Sequence, residues 1–124
     1  MSRTRRLRDL LEQGTVLAPG VYNALFARIA EQTGFDALYM TGFGTAARYG
    51  YPDVGLVTQT EMLDNLRYIC SATTVPVIAD ADTGYGNVIN VRRTVRAYER
   101  AGAAGLHLED QVFPKKSGSW RGSR

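Results

Sequence analysis

The chain has 124 residues, 44% of them hydrophobic and 22% charged, with a formal net charge of +3. That is ordinary globular material for one domain. No apolar run nears the ~20 residues of a membrane span, and the arginine-rich stretch from Met1 to Arg8, lacking an apolar segment, does not read as a secretory leader.

The net charge hides an uneven distribution. Arg3, Arg5, Arg6 and Arg8 lie at one end, and Lys115, Lys116, Arg121 and Arg124 at the other. Residues 9 to 110 carry seven arginines against twelve acids, a balance of −5. An acidic body without a basic stripe argues against a nucleic-acid binder. The single Cys70 has no internal disulfide partner, so a cytoplasmic protein is expected.

In chain order, Leu7, Leu10 and Leu11 predict a helix over 4–13, stopped by Gly14. Thr15 to Pro19 reads as a first strand. Asn23 caps a helix to about Thr33, with Leu25, Ile29 and Ala30 on its apolar side and Gly34 after it. Ala37 to Thr41 is a second strand, followed by Gly42-Phe43-Gly44 and a short helical piece from Thr45 to Tyr49. Thr58 with Glu61 is a capping-box pattern, opening a helix to about Ala72 whose apolar side is Met62, Leu66, Ile69 and Cys70. Val75 to Asp82 supplies a third strand. Asn87 to Ala101 is a helix with Val91, Val95 and Tyr98 inward and Arg92, Arg93, Arg96 and Arg100 outward. Gly105 to Glu109 is a fourth strand. Strands alternating with helices predict an α/β fold with a parallel sheet.

Period-two alternation puts Asp80 and Asp82 on one face if the strand runs that far. Two close carboxylates suit a hard divalent ion such as Mg²⁺; the competing reading is a helix cap and a turn. Chemistry in parallel α/β folds sits at the carboxyl ends of strands. Tyr39 and Thr41, Asp80 and Asp82, and His107 and Glu109 all gather at that edge, which favours the metal. His107 alone reads as a hydrogen-bonded core residue, Tyr85 and Asn87 as turn and cap, and Asp53 as a loop acid. Gly42-x-Gly44-x-x-Ala47 mimics a dinucleotide fingerprint, but the acids ~20 residues on fall in a helix. Asp80-x-Asp82-x-Gly84 lacks the third oxygen ligand of an EF-hand.

Four ordered motifs carry a resemblance: Tyr39-Met40-Thr41-Gly42-Phe43-Gly44, Pro52-Asp53-x-Gly55-Leu56-x-Thr58, Asp80-Ala81-Asp82-Thr83-Gly84-Tyr85-Gly86 and His107-Leu108-Glu109-Asp110-Gln111. From about Leu7 to Lys116 the chain resembles the N-terminal half of the isocitrate lyase/phosphoenolpyruvate mutase superfamily, closest to its 2-methylisocitrate lyase-like members. The resemblance implies a partial TIM (β/α)₈ barrel over residues 1–114, of about four parallel strands with flanking helices and an N-terminal helix. It implies Mg²⁺, with Mn²⁺ as an alternative, held by Asp53, Asp80, Asp82 and Glu109. It implies a small anionic carboxylate substrate bound by Thr41, Gly42 and Phe43, with Tyr39 lining the pocket. The implied reaction is C–C cleavage of a 2-hydroxy or 2-oxo di- or tricarboxylate through a metal-stabilised enolate. Oxaloacetate decarboxylation and P–C chemistry are the alternatives within the superfamily.

One motif departs from the pattern. Lyases of this family carry a Lys-Lys/Arg-Cys-Gly-His loop whose cysteine is the general acid; here the stretch reads Lys115-Lys116-Ser117-Gly118-Ser119. Ser117 stands at the cysteine position and is a far weaker acid. Residues 115–124 are expected to form a divergent, disordered tail. A whole barrel takes ~250 residues, so the chain supplies about half. A truncated lyase, inactive alone, is one expectation; a fragment that only binds metal or pairs with another barrel half is the other. Open sheet edges favour self-association, and neither nucleic acid nor membrane is an expected partner.

Overall fold

The computed structural model describes residues 1–115. Five helices and four strands follow one another, with two helices between the second and third strands: α1 (Arg3–Gln13), β1 (Gly20–Val21), α2 (Ala24–Thr33), β2 (Leu38–Met40), α3 (Gly42–Arg48), α4 (Gln59–Ala72), β3 (Val77–Asp80), α5 (Val88–Ala101) and β4 (Gly105–His107). The sheet runs β1-β2-β3-β4, every pair parallel. This is half of a (β/α)₈ barrel.

Local chemistry sets the helix ends. Asn23 Oδ1 accepts from Phe26 N at 2.9 Å, and Gly34 closes α2 at φ 110. The Thr58–Glu61 capping box is formed in both directions, at 3.0 and 3.2 Å. Asn87 and Asn90 cap α5 reciprocally, a box built from two amides. Gly102 ends α5 at φ 112, where a side chain would strike Cys70.

The two sheet faces differ. Leu38, Met40, Val77 and Ala79 are fully buried under the helices, packed with Leu66, Ile69 and Tyr98. Tyr39 and Ile78, paired in register, point to the concave face and are only half-buried. That face would line the inside of a closed barrel. Helix α1 lies below it, with Leu7 against Gly105. The Arg3 guanidinium donates to the carbonyls of Cys70 and Thr73 at the carboxyl end of α4, where a cation also suits the helix dipole.

Several boundaries and faces differ from the sequence reading, the third strand among them, which is Val77–Asp80 rather than Val75 to Asp82. The first strand is Gly20–Val21, not Thr15 to Pro19; register with Tyr39 and Met40 selects it, and Leu17 is exposed. Helix α3 starts at Gly42, three residues early, because Thr41 caps it by accepting from Gly44 N at 3.1 Å. Leu25 and Ile29 are exposed, and Ala27 is the buried residue of α2. The fourth strand stops at His107, short of Glu109. No helix of the described residues is long and apolar enough to cross a membrane.

Candidate metal and carboxylate site

The carboxyl ends of the strands converge as the parity argument requires, by a different geometry. Asp80 is the last residue of β3 and is buried. The chain then leaves the strand: Asp82 has φ 53 and Tyr85 φ 62, in the left-handed region rare for residues other than glycine. Asp82 is therefore not on the Asp80 strand face. The turn brings it back instead, and its N–H donates to Asp80 Oδ1 at 2.8 Å. Glu109 N donates to the Asp82 carbonyl at 2.7 Å, tying the end of the fourth strand to the same turn.

Asp80, His107 and Glu109 each offer a ligand atom within 4.8 Å of the others. His107 is thus exposed beside the acids, not a core residue, and its Nδ1 lies 3.3 Å from the Tyr39 hydroxyl. Burial, then the charges of Asp80 and Glu109, push the Tyr39 phenol up to about 12. The Gln111 amide donates to Glu109. Gly42 presses on Asp80 so closely that an added Cβ would strike the carboxylate. Here glycine is a requirement of close approach.

Asp53 and Asp82 form a second pair around a cation that the sequence reading did not assign to the site. Lys115 is buried, with Nζ 2.7 Å from Asp53 Oδ1 and 3.0 Å from Asp82 Oδ1. Burial by itself would lower the ammonium pKa, but the bonds and charges of the two carboxylates outweigh it and hold it above the usual range. Lys115 opens the basic motif quoted above, which was the available signal. Ser117 lies outside the described residues.

A small cavity of about 20 Å³, room for one water or a bare cation, is lined by Gly42, Asp53, Asp80, Asp82, Tyr85 and Lys115. Asp82 Oδ1 is buried there without a well-oriented hydrogen bond, the ammonium being its one close partner. The carboxylates of Asp53, Asp80 and Asp82 on this cavity, with Glu109 close by, are the oxygen donors that a hard divalent cation takes.

Thr41, level with Asp80 by continuation of the sheet register, caps α3. At the first turn of a helix the leading N–H groups lack intrahelical acceptors. Those of Gly42 and Phe43 have no hydrogen-bond partner among the described residues, whereas Gly44 and Thr45 N–H bond back to Thr41. The Phe43 ring is exposed. The structure thus brings Thr41 and Gly42 against the acids.

The phosphoenolpyruvate phosphomutase family profile matches residues 7–122. The chain is 52% identical over 124 residues to isocitrate lyase of Haloferax volcanii, covering 98% of this chain and 36% of that protein. It is 53% identical over 120 residues to 2,3-dimethylmalate lyase of Eubacterium barkeri, covering 95% and 42%. The crystal structure of a phosphonopyruvate hydrolase complexed with oxalate and Mg²⁺ superposes with TM-score 0.89 at 39% identity, covering 94% of this chain and 41% of that one. The chain spans about two fifths of the length of the curated relatives it matches.

Proposed function

The chain belongs to the isocitrate lyase/phosphoenolpyruvate mutase superfamily, and on that premise we propose that it forms the metal- and carboxylate-binding half of a Mg²⁺-dependent lyase site. The substrate class is a small 2-hydroxy or 2-oxo di- or tricarboxylate of the 2-methylisocitrate type. The observation that carries this reading is the convergence of Asp80, Glu109 and His107 beside Asp53 and Asp82 at one end of the sheet.

Asp80, Asp82 and Glu109 would hold the ion, with Asp53 assisting and His107 within reach of the same point. When bound, a divalent cation supplies Lewis-acid stabilisation to the enolate charge that develops as a bond next to a carbonyl breaks. The chain's own residues do the rest. Thr41 holds its hydroxyl oxygen toward Gly44 N, leaving the hydroxyl proton for a substrate carboxylate. The N–H groups of Gly42 and Phe43 point the same partial charge at that carboxylate. Tyr39, kept neutral by burial and by the neighbouring acids, offers a hydroxyl at the pocket wall without adding charge. Ser117 takes the family cysteine's place in the sequence and would stand at the general acid's position.

A second reading has an observation of its own. Lys115 already offsets half of the charge of Asp53 and Asp82. That suits a chain that binds metal and carboxylate without turning substrate over. Oxaloacetate decarboxylation and P–C cleavage are further outcomes within the superfamily.

Calorimetric titration with oxalate, with and without Mg²⁺, tests the site. Binding is expected only with Mg²⁺ and is lost in Asp80→Asn. No Mg²⁺-dependent oxalate binding by the intact chain overturns the proposal. A product assay on a panel of 2-hydroxy and 2-oxo acids then separates a lyase from a binding-only chain.

A further inference from the structure

Two buried hydroxyls on α5 reach out of the helix to the turn that carries Asp80 and Asp82. Tyr98, fully buried, donates its hydroxyl proton to the Asp80 carbonyl at 3.0 Å. Thr94, one helical turn earlier and also fully buried, donates to the Gly84 carbonyl at 2.8 Å. Thr94 Oγ1 in turn accepts from Gln59 Nε2 at 2.5 Å, so the first turn of α4 orients it. The single Tyr98 proton is committed to Asp80, so the Tyr85 hydroxyl, 3.5 Å away, is the donor of that second, longer contact.

We propose that Thr94 and Tyr98 are positioning residues for the metal-binding turn, fixing the Asp80 and Asp82 carboxylates by clamping the backbone carbonyls of Asp80 itself and of Gly84, which bracket Asp82. This rests on the reading that those carboxylates hold a divalent ion.

The geometry favours this over plain core packing. Residues four apart on a helix lie ~6 Å apart along its axis on one face. The clamp therefore spans a turn whose two ends must stay at a fixed separation. The clamp holds a turn with Asp82 at φ 53 and Gly84 at φ 98, left-handed conformations uncommon for residues other than glycine, though aspartate tolerates them better than most. Val91, one turn before Thr94 and two before Tyr98 on the same helix, packs so closely on Gly84 that a Cβ there would collide. Valine and phenylalanine would fill the Thr94 and Tyr98 volumes, yet the chain places hydroxyls there, and both bond to this turn. Partners behind a metal ligand that set its orientation typically govern affinity by 10- to 100-fold when lost.

The test is Mn²⁺ binding to the intact chain, read by the loss of the free-ion electron paramagnetic resonance signal, beside thermal unfolding without metal. Thr94→Val and Tyr98→Phe are each expected to weaken Mn²⁺ binding roughly 10-fold while folded, and Thr94→Ser to restore it. Equal Mn²⁺ affinity in the wild type and in either folded variant overturns the clamp, even if the variant melts earlier, because packing alone would shift melting and leave affinity unchanged. Should neither variant fold, Gln59→Met, which removes only the outer support of Thr94, carries the test; an unchanged affinity there overturns the clamp too. A wild-type chain that binds no Mn²⁺ instead overturns the metal reading beneath it.

Discussion

Lys115 shows how a single side chain changes the state of the site. Its ammonium sits between Asp53 and Asp82, both nearly buried, where a second cation would otherwise be called for. Removing one partner of a buried ion pair leaves the remaining charges without compensation, at about 3–5 kcal/mol. Lys115→Met is therefore expected to lower metal-free stability by about 3 kcal/mol. Excess Mg²⁺ should restore part of that loss by neutralising the same two carboxylates. Urea unfolding with and without Mg²⁺ checks both, and an equal loss in the two conditions contradicts a shared charge site. His107 teaches a related point. A lone histidine in a strand pattern reads as core, but the strand ends at His107 itself, so its side chain stands at the open rim beside Glu109.

Among elements, the caps were legible because they are local. Asn23, Thr58 and Asn87 each act within three residues of their own position. The short first strand was not, because its position depends on β2: the Pro19 carbonyl accepts from Tyr39 N, and pairing proceeds from there. One long-range tie between elements is testable through pH. Glu31 on α2 accepts from the N–H groups of Thr74 and Val75 and from the Thr74 hydroxyl, fastening α2 to the start of the third strand. Partial burial raises its pKa, but those bonds, with a minor contribution from Arg3, outweigh that and hold the carboxyl below its ordinary value. A depressed carboxyl contributes stability above the unfolded value that is lost as pH falls through the folded one. Glu31→Gln should thus destabilise by about 1 kcal/mol at neutral pH. The gap to wild type should close below pH 4, the region where the unfolded carboxyl also takes up its proton. Melting curves across pH check this, and a gap that persists in acid refutes it.

At the scale of the whole molecule, the sheet of the described residues ends in two open strands, β1 and β4, each with one neighbour. Its concave face keeps Tyr39 and Ile78 half-exposed. Unpaired parallel edges present ready donors and acceptors to another chain. The isolated chain is expected to associate with itself, and sedimentation velocity over a range of concentrations checks this. A monomer at every concentration would show the edges to be protected. The separation of charge matters at the same scale: Arg92, Arg93, Arg96 and Arg100 face outward on α5, while Asp80 and Glu109 converge on the mouth at the carboxyl ends of the strands.

Periodicity, caps and glycine stops determined the order of helices and strands and hence a parallel sheet, because those signals are read within a few residues of each other. The polar ends of three strands, and so the place of the site, followed from strand parity and the rule that parallel sheets act at their carboxyl edge. Which groups meet was decided only by the fold. Asp82 reaches Asp80 through a left-handed turn rather than along a strand, and Lys115 closes on Asp53 and Asp82 from far along the chain. The physical reason is that contacts between residues distant in sequence depend on sheet register and turn conformation, which no local pattern encodes.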